Sequence, residues 1–219
     1  MKKIILLVLS IFIFTMGTVA QESKWKVRFR MASVDPNDDS TTLAGTEDTD
    51  DQATYVDVDS DFVPEVDVTY MFNEHWGLEV IAATTTHSII AVEGTLAGAK
   101  AGDISLLPPT FTAQYFFNPD SEVQFYLGAG LNYTLFHNYS LSTDLEGLGI
   151  TDVEFDNSIG YALDAGIDGY LGDNWLINVD MKYISIDTTA DLMAEGTVAD
   201  SIDIDINPWV VSLGVGYKF

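Results

Sequence analysis

Cysteine is absent from the 219-residue sequence, so neither a disulfide framework nor a cysteine-based metal site is available to the fold. Basic residues are scarce: nine Lys and Arg stand against 34 Asp and Glu, which gives a formal net charge of −25. A chain this acidic repels the phosphate backbone, and this excludes nucleic acid as a partner. Without disulfides, stability must come from strand pairing and burial.

No apolar run reaches the roughly 20 residues that a membrane-spanning helix needs. The apolar run over residues 4–14 follows Lys2 and Lys3 and leads to Thr18-Val19-Ala20, the pattern of a cleaved secretory signal peptide. We therefore expect residues 1–20 to be a signal peptide and residues 21–219 to form one exported domain.

Histidine is rare as well, with only His75, His87 and His137, and no catalytic triad or Gly-rich phosphate loop accompanies them. Serines near His87 and His137 leave a lipid-acting hydrolase as an alternative, but the sequence predicts neither an enzyme nor a cofactor. Four long segments hold 23 of the 34 carboxylates without the spacing of a twelve-residue calcium loop. We interpret these carboxylates as solvated charge, with calcium held between loops as the alternative.

Eight segments alternate apolar with small or polar residues, the pattern of strands with lipid on one face and a lumen on the other. They cover residues 25–31, 62–72, 78–82, 111–117, 123–133, 159–167, 175–183 and 209–219. The turns at 73–75, 118–121 and 172–174 have three or four residues, whereas the other connections have about fifteen to twenty-five, as expected for short periplasmic turns and long external loops. The sequence predicts an all-β, eight-stranded antiparallel transmembrane up-and-down barrel. A soluble sandwich, in which the apolar face is a core, is the alternative.

Aromatic residues fall near the ends of these segments, where amphipathic rings favour the membrane interface. The expected membrane anchors are Trp25, Trp76, Trp175, Trp209 and Phe219. A terminal aromatic such as Phe219 also resembles the signal that the barrel-assembly machinery recognises, with simple anchoring as the alternative.

Charged residues occupy the opposite parity in several strands, so we expect them to line the lumen. An eight-stranded barrel encloses only enough space for side chains or one small ligand. We interpret the charges as a salt-bridged plug, with a selectivity filter as the alternative. The lumen-lining candidates are Lys26, Arg28, Arg30, Glu65, Asp67, Glu79, Asp164, Asp168, Asp180 and Lys182.

Nearer the external ends, the inward residues become small and apolar. Gly128, Gly130, Ala162 and Ile184 could border an apolar pocket, or the glycines could merely relieve crowding. The pair Pro108-Pro109 must break the ladder beside the third or fifth strand, because proline donates no backbone hydrogen bond. One hypothesis is a lateral seam through which an apolar molecule leaves the lumen; the other is that the break lies above the hydrocarbon.

Five stretches, in one order, resemble the outer membrane protein W family. They are LPPT at 107–110 with AQYF at 113–116, YLGAGLNYT at 126–134, WLIN at 175–178, IDTTA at 186–190, and NPWV at 207–210 with GVGYKF at 214–219.

The resemblance implies an eight-stranded outer-membrane barrel of a Gram-negative bacterium, with a narrow interior that admits small hydrophobic molecules. Its expected partners are outer-membrane lipids and lipopolysaccharide, a small hydrophobic ligand, and the assembly machinery. Lys182 and the acidic first external loop depart from the family's pattern. A plugged structural or adhesion barrel without transport is the alternative function.

Overall fold

Alternating side chains produce strands along residues 24–41, 55–91 and 97–219, the residues that a computed structural model of the chain describes. The expected signal peptide, residues 1–20, lies outside the described residues. Along the part of the chain that the structure describes, the one helix, α1, is Thr143–Gly147. No helix in the described ranges is long and apolar enough to cross a membrane. The strands are β1 (Trp25–Asp35), β2 (Asp39–Ser40), β3 (Val56–Val58), β4 (Asp61–Met71), β5 (Trp76–Ala82), β6 (Thr85–Ala91), β7 (Lys100–Leu107), β8 (Thr110–Phe116), β9 (Val123–Leu141), β10 (Asp152–Phe155), β11 (Ser158–Leu171), β12 (Trp175–Ile184), β13 (Asp187–Ala194), β14 (Thr197–Asp205) and β15 (Trp209–Lys218).

Eight of these strands close into an antiparallel barrel. Around the ring they run in chain order, β1, β4, β5, β8, β9, β11, β12 and β15. The first strand pairs with the last through a ten-residue register from Lys26 opposite Lys218 to Asp35 opposite Trp209, so no edge is left open. The predicted eight-stranded up-and-down barrel is confirmed.

Burial in the barrel wall is inverted relative to a soluble protein. On the outside, Ile159 is 76% exposed and Leu131 is 66% exposed, whereas Arg28 on the inside is 0% exposed. Large apolar side chains facing outward around a polar interior are the arrangement of a barrel in lipid. The sandwich alternative is therefore wrong.

Two belts of aromatic rings mark the membrane boundaries. We call lower the end of the barrel at which the first strand begins, the last strand ends and the short turns lie. There the expected anchors Trp25, Trp76, Trp175 and Phe219 are 42–57% exposed. Ring contacts join each to a tyrosine, as in the pair Trp25–Tyr70 at 4.8 Å. The upper belt consists of Tyr133, Tyr161, Tyr183 and Trp209.

Above the upper belt the wall continues as strands, where long external loops were expected. The hairpin of β6 and β7 extends one side, and β13 and β14, flanked by β10 and β2, extend the other. Strand β9 has 19 residues and runs through both the membrane-spanning barrel and the wall above it. At about 3.3 Å per residue it spans roughly 60 Å, about twice the hydrocarbon thickness. For the described residues of these segments the loop expectation was wrong, because acidic residues occupy the solvent side of strands whose inner side is apolar.

Candidate functional site

The lower half of the barrel interior is filled by a network of buried charges. We call it the ion-paired plug, and it comprises all the lumen-lining candidates: Lys26, Arg28, Arg30, Glu65, Asp67, Glu79, Asp164, Asp168, Asp180 and Lys182. Each is at most 5% exposed.

Arg28 forms the centre of the plug. Its Nη1 donates to Asp67 Oδ1 at 2.7 Å and to Thr69 Oγ1 at 2.9 Å. Its Nε and Nη2 donate to the two oxygens of Asp168 at 3.1 and 2.8 Å. This is a bidentate pair between planar groups, the strongest geometry available to a guanidinium. Arg28 thereby ties β1 to β4 on one side and to β11 across the lumen.

Arg30 forms the next layer up. Its Nε lies 2.5 Å from Glu65 Oε1 and 3.2 Å from Asp67 Oδ2. Nη2 lies 3.5 Å from Glu79 Oε1, and Nη1 lies 3.8 Å from Asp180 Oδ1. Four carboxylates from β4, β5 and β12 therefore surround one guanidinium.

Two lysines complete the network. Lys182 Nζ lies 3.1 Å from Glu79 Oε2 and 3.2 Å from Asp164 Oδ2. Lys26 Nζ, at the lower end, lies 3.0 Å from Asp168 Oδ2 and 3.9 Å from the centre of the Phe116 ring. Charges from five strands thus meet across the lumen, and the plug fills the lower barrel.

Sequence reasoning missed several neutral members of this network. Tyr126 donates its hydroxyl hydrogen to Asp180 Oδ2 at 2.7 Å and accepts a hydrogen bond from Asn178 at 3.0 Å. Gln114 donates to Asp164 Oδ2 at 2.7 Å. The sequence pattern could have identified Tyr126 and Gln114 as lumen-lining residues, because they occupy the inward-facing positions of strands whose alternate residues face lipid.

Crowding explains the inward glycines that we associated with a pocket. A Cβ on Gly128 would lie 1.9 Å from Asp164 Oδ1, and one on Gly130 would lie 1.9 Å from the Phe111 carbonyl oxygen. Ala162 is fully buried in the apolar cluster above the plug. Gly128 therefore makes room for a plug carboxylate and Gly130 for the neighbouring backbone, so the crowding alternative applies to both.

A small cavity of ≈ 40 Å³ lies directly above the plug. Glu65 and Lys182 border it below, and Pro108 and Ile184 are the two pocket candidates that line it. The other lining residues are Ala32, Val34, Val63, Ile81, Ala83, Thr85, His87, Leu106, Thr110, Ile186, Ile206, Pro208 and Val210.

The hydrogen-bonded ladder is interrupted beside this cavity. Pairing between β5 and β8 ends at Ile81 opposite Thr110, and pairing between β6 and β7 begins at Thr85 opposite Leu106. Pro108-Pro109 lies in the gap. The break therefore faces the third barrel strand, one of the two sides that the sequence left open.

The other side of the proline pair stays joined to β9. The Pro109 carbonyl accepts a hydrogen bond from Tyr133 N–H at 3.1 Å, and the Pro108 carbonyl accepts one from the Thr110 hydroxyl at 3.0 Å. Since Tyr133 belongs to the upper aromatic belt, the break lies at the outer boundary of the hydrocarbon. We call this interruption the proline gap.

A larger cavity of ≈ 280 Å³ lies higher, in the part of the wall above the membrane. The apolar cluster that begins above the plug continues to its walls. None of the predicted site residues lines it, because all of its walls come from segments expected to be loops. The lining residues are Val56, Ile89, Ala91, Ala99, Lys100, Ala101, Tyr139, Asp144, Leu145, Leu148, Val153, Phe155, Ala190, Leu192, Ile202 and Ile204.

Few polar groups enter this upper cavity. The Tyr139 hydroxyl donates to the Ala101 carbonyl at 2.7 Å. Burial, reinforced by the charges of Asp152 and Asp103, raises the pKa of Tyr139 to about 12, so the phenol is neutral at physiological pH. Lys100 is paired with Asp103 at 2.6 Å. The cavity therefore offers an apolar surface with its charges confined to the rim.

The histidines do not form a catalytic or metal-binding centre. His87 Nδ1 lies 2.6 Å from the Asp59 carbonyl oxygen, and His75 Nδ1 lies 2.7 Å from that of Phe116. Among residues 24–41, 55–91 and 97–219, no group of three His, Asp or Glu side chains is placed to hold a metal ion.

Comparisons with known proteins agree with this architecture along the chain. The model of the OmpW family matches residues 21–219. Outer membrane protein W of Vibrio cholerae serotype O1 is 38% identical over 202 residues, which are 91% of this chain and 90% of that protein. The crystal structure of OprG from Pseudomonas aeruginosa is 34% identical, with a TM-score of 0.81 over 90% of this chain and 96% of that one.

A more distant relative is the dibenzothiophene metabolism operon protein PahQ of Pseudomonas aeruginosa. It is 23% identical over 218 residues, 100% of this chain and 99% of that protein. Because the family model covers the barrel from its first strand to its last, the chain belongs to the OmpW family of bacterial outer-membrane β-barrels, whose members are not enzymes.

Proposed function

We propose that the protein takes up small hydrophobic molecules in the upper cavity and releases them sideways through the proline gap into the outer membrane. The observation that carries this proposal is an apolar cavity of ≈ 280 Å³ standing above a lumen closed by ion pairs. Its volume approaches the range of about 300–1,000 Å³ found for small-molecule sites.

The plug makes a straight path unfavourable. A solute passing between Arg28 and its carboxylates would separate charges that are 0% exposed, and an uncompensated buried charge costs several kcal/mol. An apolar solute offers no hydrogen bond in return. The downward route therefore ends at the plug.

The sideways route meets no comparable obstacle. The apolar cluster connects the walls of the upper cavity to Ala32, Val34 and Val63 beside the small cavity. The small cavity is lined by Pro108 and Thr85, which border the proline gap. No backbone ladder has to open there, because the ladder between β5 and β8 has already ended.

The relatives support the proposal by association. One of them is named for an operon of dibenzothiophene metabolism, and dibenzothiophene is an apolar aromatic compound. Membership of one family with such a relative agrees with the apolar lining of the upper cavity.

Uptake of naphthalene into phosphatidylcholine vesicles containing the mature barrel tests the proposal. Replacing both gap prolines, Pro108→Ala with Pro109→Ala, restores two backbone donors and should slow uptake by closing the ladder. Filling the upper cavity with Ala101→Phe should slow it as well. Pro64→Ala is the matched control, because Pro64 faces outward on β4 opposite Met31 and should leave the rate unchanged.

An unchanged rate in a correctly folded double-proline variant would exclude the lateral route. No uptake above protein-free vesicles by the wild-type barrel would instead favour a plugged structural or adhesion barrel, an alternative with which the ion-paired plug is compatible.

A further inference from the structure

The charges of the chain are divided sharply along the barrel axis. The described segments above the membrane, residues 35–41, 55–61, 83–91, 97–107, 135–157 and 185–208, hold 18 of the 34 carboxylates of the sequence but only one of its nine basic residues, Lys100. That lysine is already neutralised by Asp103, with Nζ and Oδ1 2.6 Å apart.

Several of these carboxylates surround the upper cavity. Asp144 lines its mouth and accepts a hydrogen bond from the Lys100 backbone N–H at 3.1 Å. Asp152 and Asp103 are close enough to Tyr139 to perturb its hydroxyl. Glu154 lies between two lining residues of β10 and points to the opposite, solvent face of the strand.

The outer face of the adjoining sheet continues this negative surface. In the β-ladder, Glu154 stands opposite Asp191, and Asp187 stands opposite Asp205, which in turn stands opposite Asp39. Like charges placed directly opposite each other on a sheet are destabilising. The upper wall therefore carries a concentrated negative field at some cost in stability.

The electrostatic field of these carboxylates reaches the cavity because a single β-sheet separates the two. Inward and outward side chains alternate on the same strand, so the apolar lining and the carboxylates lie on the two faces of one sheet. At physiological ionic strength charges act over about 8 Å, and a concave apolar surface focuses their potential. An anion approaching the mouth is repelled, and a cation is attracted.

We propose that the upper cavity selects hydrophobic molecules by charge, favouring amines that carry an ammonium group and disfavouring carboxylates of the same size. The apolar body of the ligand occupies the cavity, and its ammonium group stays at the mouth beside Asp144. This inference rests on the proposed function and names the substrate class of the same site.

Equilibrium dialysis with three matched naphthalene derivatives tests it. The mature barrel in nanodiscs of zwitterionic phosphatidylcholine is offered 1-naphthylmethylamine, 1-naphthylmethanol or 1-naphthoate, with empty nanodiscs as the blank. At low salt we expect the amine to bind about tenfold or more tightly than the carboxylate, with the neutral alcohol between them. The ratio should fall toward one in 0.5 M sodium chloride, since the Debye length then shrinks to a few ångströms.

Two variants with the same change of net charge separate the mouth from the whole protein. Asp144→Asn, Asp152→Asn and Glu154→Gln together should reduce the ratio of amine to carboxylate binding at least threefold. Asp120→Asn, Glu122→Gln and Asp173→Asn, all on exposed turns at the lower end, should leave it unchanged.

Equal binding of amine and carboxylate by the wild-type barrel would overturn the charge inference while leaving the proposed function in place, provided the alcohol binds. An equal effect of the two triple variants would also overturn it. Failure of the alcohol to bind above the blank would overturn both proposals together.

Discussion

Replacing Arg28 with methionine should destabilise the barrel more than any other single charge removal on β1. The substitution keeps a long side chain but removes a guanidinium that contacts Asp67 at 2.7 Å and Asp168 at 2.8 and 3.1 Å. Both carboxylates stay buried, and the plug already holds six carboxylates against four cations. The variant raises that excess by one.

The expected loss in the free energy of unfolding depends on the cations that Asp67 and Asp168 still contact in the variant. Removing one partner of a buried ion pair costs about 3–5 kcal/mol. Asp168 keeps Lys26 at 3.0 Å and Asp67 keeps Arg30 at 3.2 Å, so neither is left without a cation. We therefore expect the lower end of the range, about 3 kcal/mol in the free energy of unfolding.

Urea unfolding in phosphatidylcholine vesicles, followed by tryptophan fluorescence, measures this difference. A variant that combines Arg28→Met with Asp67→Asn should recover part of the loss, because it returns the excess of carboxylates over cations in the plug from three to two. Lys218→Met, near the lower rim, is the control and should change stability little. A loss below 1 kcal/mol for Arg28→Met, or a double variant less stable than the single one, would show that the plug is not held by these pairs.

Two further predictions concern single positions. Gly128→Ala places a methyl group 1.9 Å from Asp164 Oδ1, so urea unfolding should show a loss of about 1–3 kcal/mol, the usual cost of overpacking, whereas Gly147→Ala, with open space around it, should not. If Phe219 is read by the assembly machinery, Phe219→Ser should lower the amount of barrel in the outer membrane of living cells while unassisted refolding into vesicles proceeds at the wild-type rate; equal effects in both assays would indicate simple anchoring.

The barrel wall could be predicted from the sequence because each strand has one face toward lipid and one toward the barrel interior. The two environments require different classes of residue. Val211, Leu213 and Val215 face lipid while Ser212 and Gly214 face the interior, and nothing in such a pattern depends on distant residues. The charged members of the lumen followed from the same parity.

The upper wall was missed because its outer face is solvated by water instead of lipid. In β13, Asp187 and Asp191 alternate with Thr188, Ala190 and Leu192, which is a regular strand pattern, but solvated aspartates are equally typical of external loops. The upper cavity could not be inferred either, because its walls come from strands that are distant in sequence. The sequence predicted that the ladder breaks at Pro108-Pro109. Whether the break faces the third or the fifth barrel strand depended on the register between β5 and β8.

Closure of the ring has a consequence for how the molecule is made. Three of the four plug cations lie on the first strand, and that strand acquires its second neighbour only when the last strand arrives. Their counter-charges come from β4, β5, β11 and β12, so an unfinished intermediate would hold unmatched charges facing a half-formed interior. Neutralising the interior and joining the two ends of the sheet are therefore a single cooperative event, which disfavours any partly built barrel that stalls in the lipid.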